Sequence, residues 1–165
     1  VFGQDPALII LGLQHKPDGS PKDTTRNIDA TGEFVVNLAT PALVADMVGT
    51  AASYDPGESE PSALGLKLAP SGRVKPPRLA DAPVAIECER MMALSLSAER
   101  SILLGRAVGL ATRDGLVDAN TMYVDWADDY PVARLFADRY ARLEDIERHS
   151  IPEPYRSNTT REDDT

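Results

Sequence analysis

A short polar stretch near the amino terminus holds the groups best suited to binding an anion. It reads SPKDTTRNI and runs from Ser20 to Ile28. Lys22 brings a positive charge, and the threonines bring hydroxyl donors. If a helix begins near Lys22 or Asp23, its first backbone N–H groups have no intrahelical partner and carry the positive end of the helix dipole. Helical spacing places four side chains on one face: Thr24, Asn27, Ile28 and Thr31. This combination is a candidate phosphate site.

A purely structural role explains the same residues. Ser20 can be an N-cap with Pro21 at the first helical position and Asp23 three residues later, which resembles a capping box. In the rival start, Asp23 is the cap. Either start predicts a helix of about two turns that ends at Gly32. The stretch is not a P-loop, so spacing alone leaves both a capped surface helix and an anion site open.

Length and charge limit the classes of function. The chain has 165 residues and a formal net charge of −9, which indicates one domain and argues against nucleic acid as the main partner. One cysteine and two histidines favour neither a disulfide nor a zinc site. No apolar run is long enough for a transmembrane helix and no signal peptide is visible, so we expect a cytoplasmic protein without a membrane partner.

The elements that would position the polar stretch are mostly strands. Apolar or alternating segments predict strands at 7–14, 33–38, 85–96 and 101–112. Gly105 and Gly109 in the last of these predict bulges or close backbone approach. Helical spacing predicts a helix over 41–52, a helical turn near the end of the loop 53–66, and a charged helical segment over 130–149. Strands that are not regularly interleaved with helices indicate an antiparallel barrel with helical decorations.

Four other side chains invite a functional interpretation. We interpret His15 as a hydrogen-bonded histidine at a strand edge, because it has no second partner for proton transfer in the sequence. Cys88 alternates with two glutamates, so we expect a small core residue rather than a reactive thiol. Met91 and Met92 are expected to fill the core near the end of a strand.

Several segments, in chain order, resemble the flavin reductase-like, FMN-binding split-barrel family. They are SPKDTTRNIDATGEFVVNL, ASYDPGESE followed by ALGL, RVKPPRLADAPVAIECE, ILLGRAVGLATRDGLVD and YPVARLFADRYARLED. Together they cover roughly Asp5 to Glu153. No single segment is specific, but the ordered set is.

The resemblance implies a mainly β fold: an antiparallel, six-stranded Greek-key split barrel with short helices between the strands. We expect a helical segment at the C-terminal end of this barrel. It also implies a homodimer with FMN, or alternatively FAD, near the subunit interface. Hydride transfer between NAD(P)H and flavin is the implied activity, with no general acid or base required because the flavin carries the hydride. We place the domain at 1–155 and a disordered polar tail at 156–165.

Site residues follow from the resemblance position by position. It assigns five residues to the flavin phosphate and ribityl chain: Lys22, Asp23, Thr24, Thr25 and Asn27. Arg134 is a further candidate for the same cleft, with a surface salt bridge as its alternative. The loop from Tyr54 to Leu64 is a candidate edge of the cleft. Trp126 and Tyr130 could stack on a flavin or nicotinamide ring, but we favour a place in the dimer interface.

The sequence departs from the family at two points. The family has one or two strands upstream of Asp5, and we expect this chain to lack them. Pro61-Ser62 replaces a pair that is more often aromatic and acidic. A reductase of this kind can supply a flavin-dependent monooxygenase. The alternatives are an FMN-binding or interaction protein without reductase turnover, and a barrel that has lost flavin.

Overall fold

One antiparallel sheet forms the centre of the protein. A computed structural model describes residues 5–55, 57–144, 146–147 and 149–150. The strands are β1 (Leu8–Gln14), β2 (Glu33–Asn37), β3 (Leu68–Ala69), β4 (Arg78–Leu79), β5 (Val84–Ser95), β6 (Arg100–Thr112), β7 (Ala133–Arg134) and β8 (Tyr140–Ala141). The helices are α1 (Asp23–Thr31), α2 (Val44–Gly49) and α3 (Glu60–Ala63), with a 3₁₀ turn at Pro41–Leu43. The predicted mainly β, antiparallel class is confirmed.

Four strands make the main sheet, in the order β1-β6-β5-β2. All neighbours are antiparallel. β3 pairs with β4, and β7 with β8, in two small separate sheets. Within the described residues the main sheet therefore has four strands, which differs from the six of the expected barrel. The four predicted strands are all present, with ends shifted by a residue or two.

Helix α1 connects β1 to β2 and packs against the inner face of the sheet. Its Ile28 is buried together with Phe34 of β2 and Leu103 of β6. Gly32 ends the helix at a φ of 71° and donates its N–H to the carbonyl of Ile28. Because glycine adopts this left-handed conformation without strain, the predicted end of the helix is confirmed.

Two glycines in β6 allow close packing, as predicted. A Cβ on Gly105 would collide with the ring of Phe34, and a Cβ on Gly109 would lie 3.0 Å from Oε2 of Glu87. The pairing of β5 with β6 shifts register between Glu87 and Cys88, opposite Gly109. Both glycines thus make room for a side chain of a neighbouring strand.

The predicted helical segment over 130–149 is wrong in the described part of that range. The chain forms the hairpin β7–β8, closed by the N–H of Leu135 on the carbonyl of Arg139 at 2.9 Å. Part of the supposed apolar face lies open to solvent in the described structure, since Leu135 is 65% and Phe136 82% exposed. A helix of this length depends on burying such a face, so local hairpin bonds prevail. The predicted tail at 156–165 lies outside the described residues.

Two predictions about β5 also fail. Met91 and Met92 do not fill the core, because the outer half of β5 continues beyond it and leaves them 52% and 57% exposed. The simple alternation fails as well. Glu87 is buried beside buried Cys88, because a loop packs over its carboxylate. No helix in the described part of the chain is long and apolar enough to cross a membrane.

Candidate functional site

Two cavities border helix α1 and meet at Thr24. The first has a volume of about 780 Å³, within the range of small-molecule sites. It is lined by Lys16, Pro17, Asp18, Lys22, Asp23, Thr24, Thr50, Ala51, Ala52, Ser53, Tyr54 and Glu60. We call it the amino-terminal cleft. The second, of about 550 Å³, is lined by Leu11, Thr24, Asn27, Ile28, Thr31, Glu33, Phe34, Val35, Val36, Lys75, Pro76 and Pro77. We call it the lateral cleft. The predicted common face of α1 is confirmed, because all four of its residues line the lateral cleft.

The start of α1 has no side-chain cap. Lys22 is the N-cap residue, and no side chain bonds to the first turn. Both predicted caps are therefore wrong. The Ser20 hydroxyl lies 2.6 Å from the carboxylate of Asp18, and the Asp23 carboxylate pairs with Arg26. The first intrahelical bond runs from the N–H of Arg26 to the carbonyl of Lys22. In the described part of the chain, the backbone N–H groups of residues 23–25 have no acceptor.

The charges at this helix start favour an anion. Lys22 lies exposed on the amino-terminal cleft and makes no ion pair within the described residues. The negative charge of Asp23 is neutralised by Arg26. Thr25 is nine-tenths buried, and its Oγ1 is the one buried side-chain polar atom found without a partner among the described residues. Buried hydroxyls are normally hydrogen-bonded, so this atom is an exception at the first turn, although Thr25 lines neither cleft.

A tight turn leads into the helix and lines the same cleft. The N–H of Lys16 donates to the carbonyl of Ser20 at 2.8 Å, and Gly19 has a φ of 80°. The Asp18 carboxylate accepts both the N–H and the hydroxyl of Ser20, at 2.9 and 2.6 Å. These bonds hold the pKa of Asp18 below its ordinary value. The residues KPDGS at 16–20 are typical of a turn, but they do not show that Ser20 would be committed to it.

The opposite wall of the amino-terminal cleft comes from the segment after α2. Tyr54 and Glu60 line the cleft, and the hydroxyl of Tyr54 donates to the carbonyl of Gly49 at 3.1 Å. Two residues of the loop from Tyr54 to Leu64 therefore line a cleft that Lys22 also lines, and the assignment of this loop to the edge of a flavin cleft stays a prediction. Residues 50–53 also line this wall, and no motif in the sequence marks them as binding residues.

One wall of the lateral cleft is held on the sheet by side chains that accept backbone N–H groups. Glu87 accepts the N–H groups of Gly72 and Arg73 at 2.9 and 2.6 Å. Glu33 accepts the N–H of Lys75 at 2.8 Å, and the Asn37 side chain accepts that of Leu79 at 3.0 Å. These three side chains fix the segment 72–79, which we call the clamped loop, on the sheet.

Opposing effects set the charge of Glu87. Burial raises the pKa of Glu87, while the N–H bonds from Gly72, Arg73 and Val74 and the charge of Arg78 lower it. The net shift is downward, so the carboxylate is ionised at neutral pH. Sequence reasoning missed this residue. The signal was a glutamate between two apolar strand residues, with a glycine on the facing strand.

Other candidates lie away from the two clefts. The guanidinium of Arg134 donates to the carbonyl of Ala137 at 3.2 and 3.0 Å and makes no ion pair within the described residues; it lines neither cleft, and its assignment stays a prediction. His15 bonds to the carbonyl of Ala98 at 2.8 Å, which confirms the edge histidine. Cys88 is fully buried, and burial raises the pKa of its thiol to about 11, so the core role is confirmed. The ring centroids of Trp126 and Tyr130 lie 6.2 Å apart, and the place of these residues in a dimer interface stays a prediction.

Residues 1–134 match the protein family described as “Flavin reductase like domain”. The chain belongs to this family. A protein from Deinococcus radiodurans is 39% identical to this chain over 128 residues, which are 77% of this chain and 56% of that protein. The Bacillus subtilis protein YwrF is 32% identical over 148 residues, or 87% and 72% of the two chains.

Solved structures place this flavin reductase-like chain among split barrels. Pseudomonas fluorescens 2-nitrobenzoate 2-nitroreductase NbaA matches with a TM-score of 0.81 and 32% identity, over 92% of this chain and 73% of its own. Nitrilotriacetate monooxygenase component B from Bacillus cereus matches with 0.82 and 29%, over 89% and 74%. A Shewanella frigidimarina protein with a split barrel domain matches at 0.79 and 21%, over 92% and 74%. The predicted split-barrel class is thereby confirmed.

The residues at the start of α1 fit the phosphate of a flavin nucleotide. A phosphate dianion accepts several hydrogen bonds at once, and the first turn offers three free backbone N–H groups in the described structure. The hydroxyl of Thr24, which lines the cleft, supplies one further donor, and Lys22 supplies the charge. The donor set therefore matches the chemistry of the group that the family name implies.

Proposed function

We propose that this protein binds FMN with its phosphate at the start of α1. The supporting observation is the uncapped first turn of α1, whose free N–H groups lie beside a cleft that Thr24 and the unpaired Lys22 line in the described structure. The first N–H groups of a helix need a partner from outside the helix, and a ligand in the cleft can provide it. FMN carries one phosphate and requires only this one cradle, so we propose FMN rather than FAD.

Each residue of the proposed site has a separate role. Lys22 provides the charge, and the N–H groups of Asp23, Thr24 and Thr25 donate to the phosphate. The carboxylate of Asp23 is held away by Arg26, which removes a repulsion. Thr24 lies on both clefts, so a ribityl chain that leaves the phosphate along α1 can pass Thr24 toward Asn27 on the lateral cleft.

The proposed activity is flavin reduction by NAD(P)H. Bound flavin supplies the hydride acceptor, and the protein contributes binding, orientation and exclusion of water. Tyr54 and the turn at 16–20, each held by hydrogen bonds, line the cleft at the proposed phosphate end. Two of the similar structures are named as a nitroreductase and as a monooxygenase component, which supports redox chemistry with flavin.

A homodimer is part of the proposal. The outer face of the sheet carries Ile10, Met92 and Leu94, which are 50%, 57% and 56% exposed. The strand register places Ile10 beside Leu104 and Met92 on one face, so these residues form a continuous apolar strip. Exposed apolar strips of this kind favour association.

A flavin-dependent monooxygenase is the proposed acceptor of reduced flavin. The similarity to a protein named nitrilotriacetate monooxygenase component B supports this class of partner. We propose a cytoplasmic location, in keeping with a single cysteine in the whole chain.

The test is the visible spectrum of the purified protein after incubation with FMN and desalting, followed by NADH and NADPH oxidation. We expect retained flavin at one per chain and steady nicotinamide oxidation. Retained flavin without oxidation would support the alternative, an FMN-binding protein without reductase turnover. A colourless protein that retains no FMN would contradict the proposal.

A further inference from the structure

The sequence offers helix α1 two starting points, and the structure uses neither of the expected caps. In SPKD, Ser20 could cap a helix that begins at Pro21, two residues before the observed start at Asp23. Serine before proline is a favourable helix start, so this alternative competes with the observed one. Something must hold Ser20 away from the helix.

All three hydrogen-bonding groups of Ser20 are engaged in the preceding turn. Its carbonyl accepts the N–H of Lys16 at 2.8 Å. Its N–H and its hydroxyl both bond to the carboxylate of Asp18, at 2.9 and 2.6 Å. Asp18 therefore makes two of the three bonds, and it alone bonds to the hydroxyl that would act as a cap, which holds this side chain in the turn.

The choice of start decides which backbone donors are free. In a helix capped by Ser20, the N–H of Thr24 would bond to the carbonyl of Ser20, and that of Thr25 to the carbonyl of Pro21. In the observed helix the first such donor is Arg26. The earlier start would thus consume two N–H groups that the proposed phosphate site needs.

We propose that Asp18 is a positioning residue for the flavin phosphate: by holding Ser20 in the turn, it stops α1 from starting early and keeps the N–H groups of Thr24 and Thr25 free. This inference rests on the proposed function for its binding consequence. Simple electrostatics predicts the opposite sign, because Asp18 lines the cleft and removal of its negative charge would strengthen the binding of an anion.

The experiment compares Asp18→Ala, Ser20→Ala and the double variant with the parent. In the absence of flavin, amide hydrogen exchange at Thr24 and Thr25 reports which start the helix uses. We expect Asp18→Ala to slow exchange at both amides, while Ser20→Ala and the double variant, which lack the competing cap, exchange as the parent does.

Titration with FMN measures the binding consequence. We expect Asp18→Ala to weaken FMN binding about tenfold, roughly the value of one lost bond to a charged group. The double variant should recover most of that loss, which a general structural defect at Asp18 would not allow. Inorganic phosphate can be titrated as a competitor of FMN. The affinities of the parent and the variants for phosphate should follow the same order as their affinities for FMN.

Three results would overturn the inference: unchanged exchange at Thr24 and Thr25 in Asp18→Ala, tighter FMN binding in that variant, or a double variant as weak as the single one. Failure of the proposed function looks different. In that case no variant, the parent included, binds FMN, while the exchange pattern still reports whether Asp18 sets the start of the helix.

Discussion

The two clefts differ in whether their backbone N–H groups have hydrogen-bond acceptors in the described structure. At the clamped loop, Glu87, Glu33 and Asn37 each accept backbone donors, so loop and sheet are tied together. At the start of α1, the nearby acceptors are engaged elsewhere, and the N–H groups of residues 23–25 have no partner within the described structure. Satisfied donors stabilise a fold, whereas open donors beside a cavity are available to a ligand. The contrast separates a structural wall from a binding site.

Removing the buried carboxylate should produce the largest effect. Glu87→Ala removes the buried acceptor of the N–H groups of Gly72 and Arg73, and we expect a loss of about 3 kcal/mol of unfolding free energy. Glu87→Gln should lose less, although its NH₂ group would face one of the two donors. Glu89→Ala on the same strand is the matched control. Its exposed pair with Arg106 should contribute less than about 1 kcal/mol. Urea unfolding measures all three, and equal losses for Glu87→Ala and Glu89→Ala would contradict the clamp.

The next largest effect is on binding rather than on stability. Lys22→Ala with Thr24→Ala should weaken FMN binding about tenfold to a hundredfold, the value of one charge-assisted contact, because it removes the free lysine and a cleft hydroxyl. Unfolding by urea should change little, since both side chains are exposed. Lys67→Ala with Thr112→Ala changes two exposed residues away from both clefts and serves as the control. An FMN affinity equal to that of the parent would show that the cradle is assigned wrongly.

The smallest effect is the response of the clamp to pH. Because the folded-state pKa of Glu87 lies below its ordinary value of 4.5, its carboxylate stabilises the fold above that value. The contribution is lost as the pH falls through the folded-state pKa. The difference in unfolding free energy between the parent and Glu87→Ala should therefore shrink in acid. A difference that stays constant from neutral pH down through that range would contradict an ionised clamp.

The sequence predicts the two regions unequally well. The strands, the end of α1 at Gly32 and the common face from Thr24 to Thr31 follow from local periodicity, and the structure confirms them. The burial of Glu87 could not be predicted, because it depends on a loop that is distant along the chain. The caps were wrong for a related reason: local preference favours Ser20, but Asp18 already holds its hydroxyl. The segment after Tyr130 has helical spacing but no surface to bury it.

The central claim is that the open start of α1 binds the phosphate of a flavin. The most direct measurement compares the affinities of the parent protein for FMN and for riboflavin, which lacks the phosphate. The account predicts FMN binding at least about tenfold tighter, as expected for contacts between a charged phosphate and several donors. Equal affinities for the two flavins would show that the phosphate makes no net contribution, and the open helix start would then have no role in flavin binding.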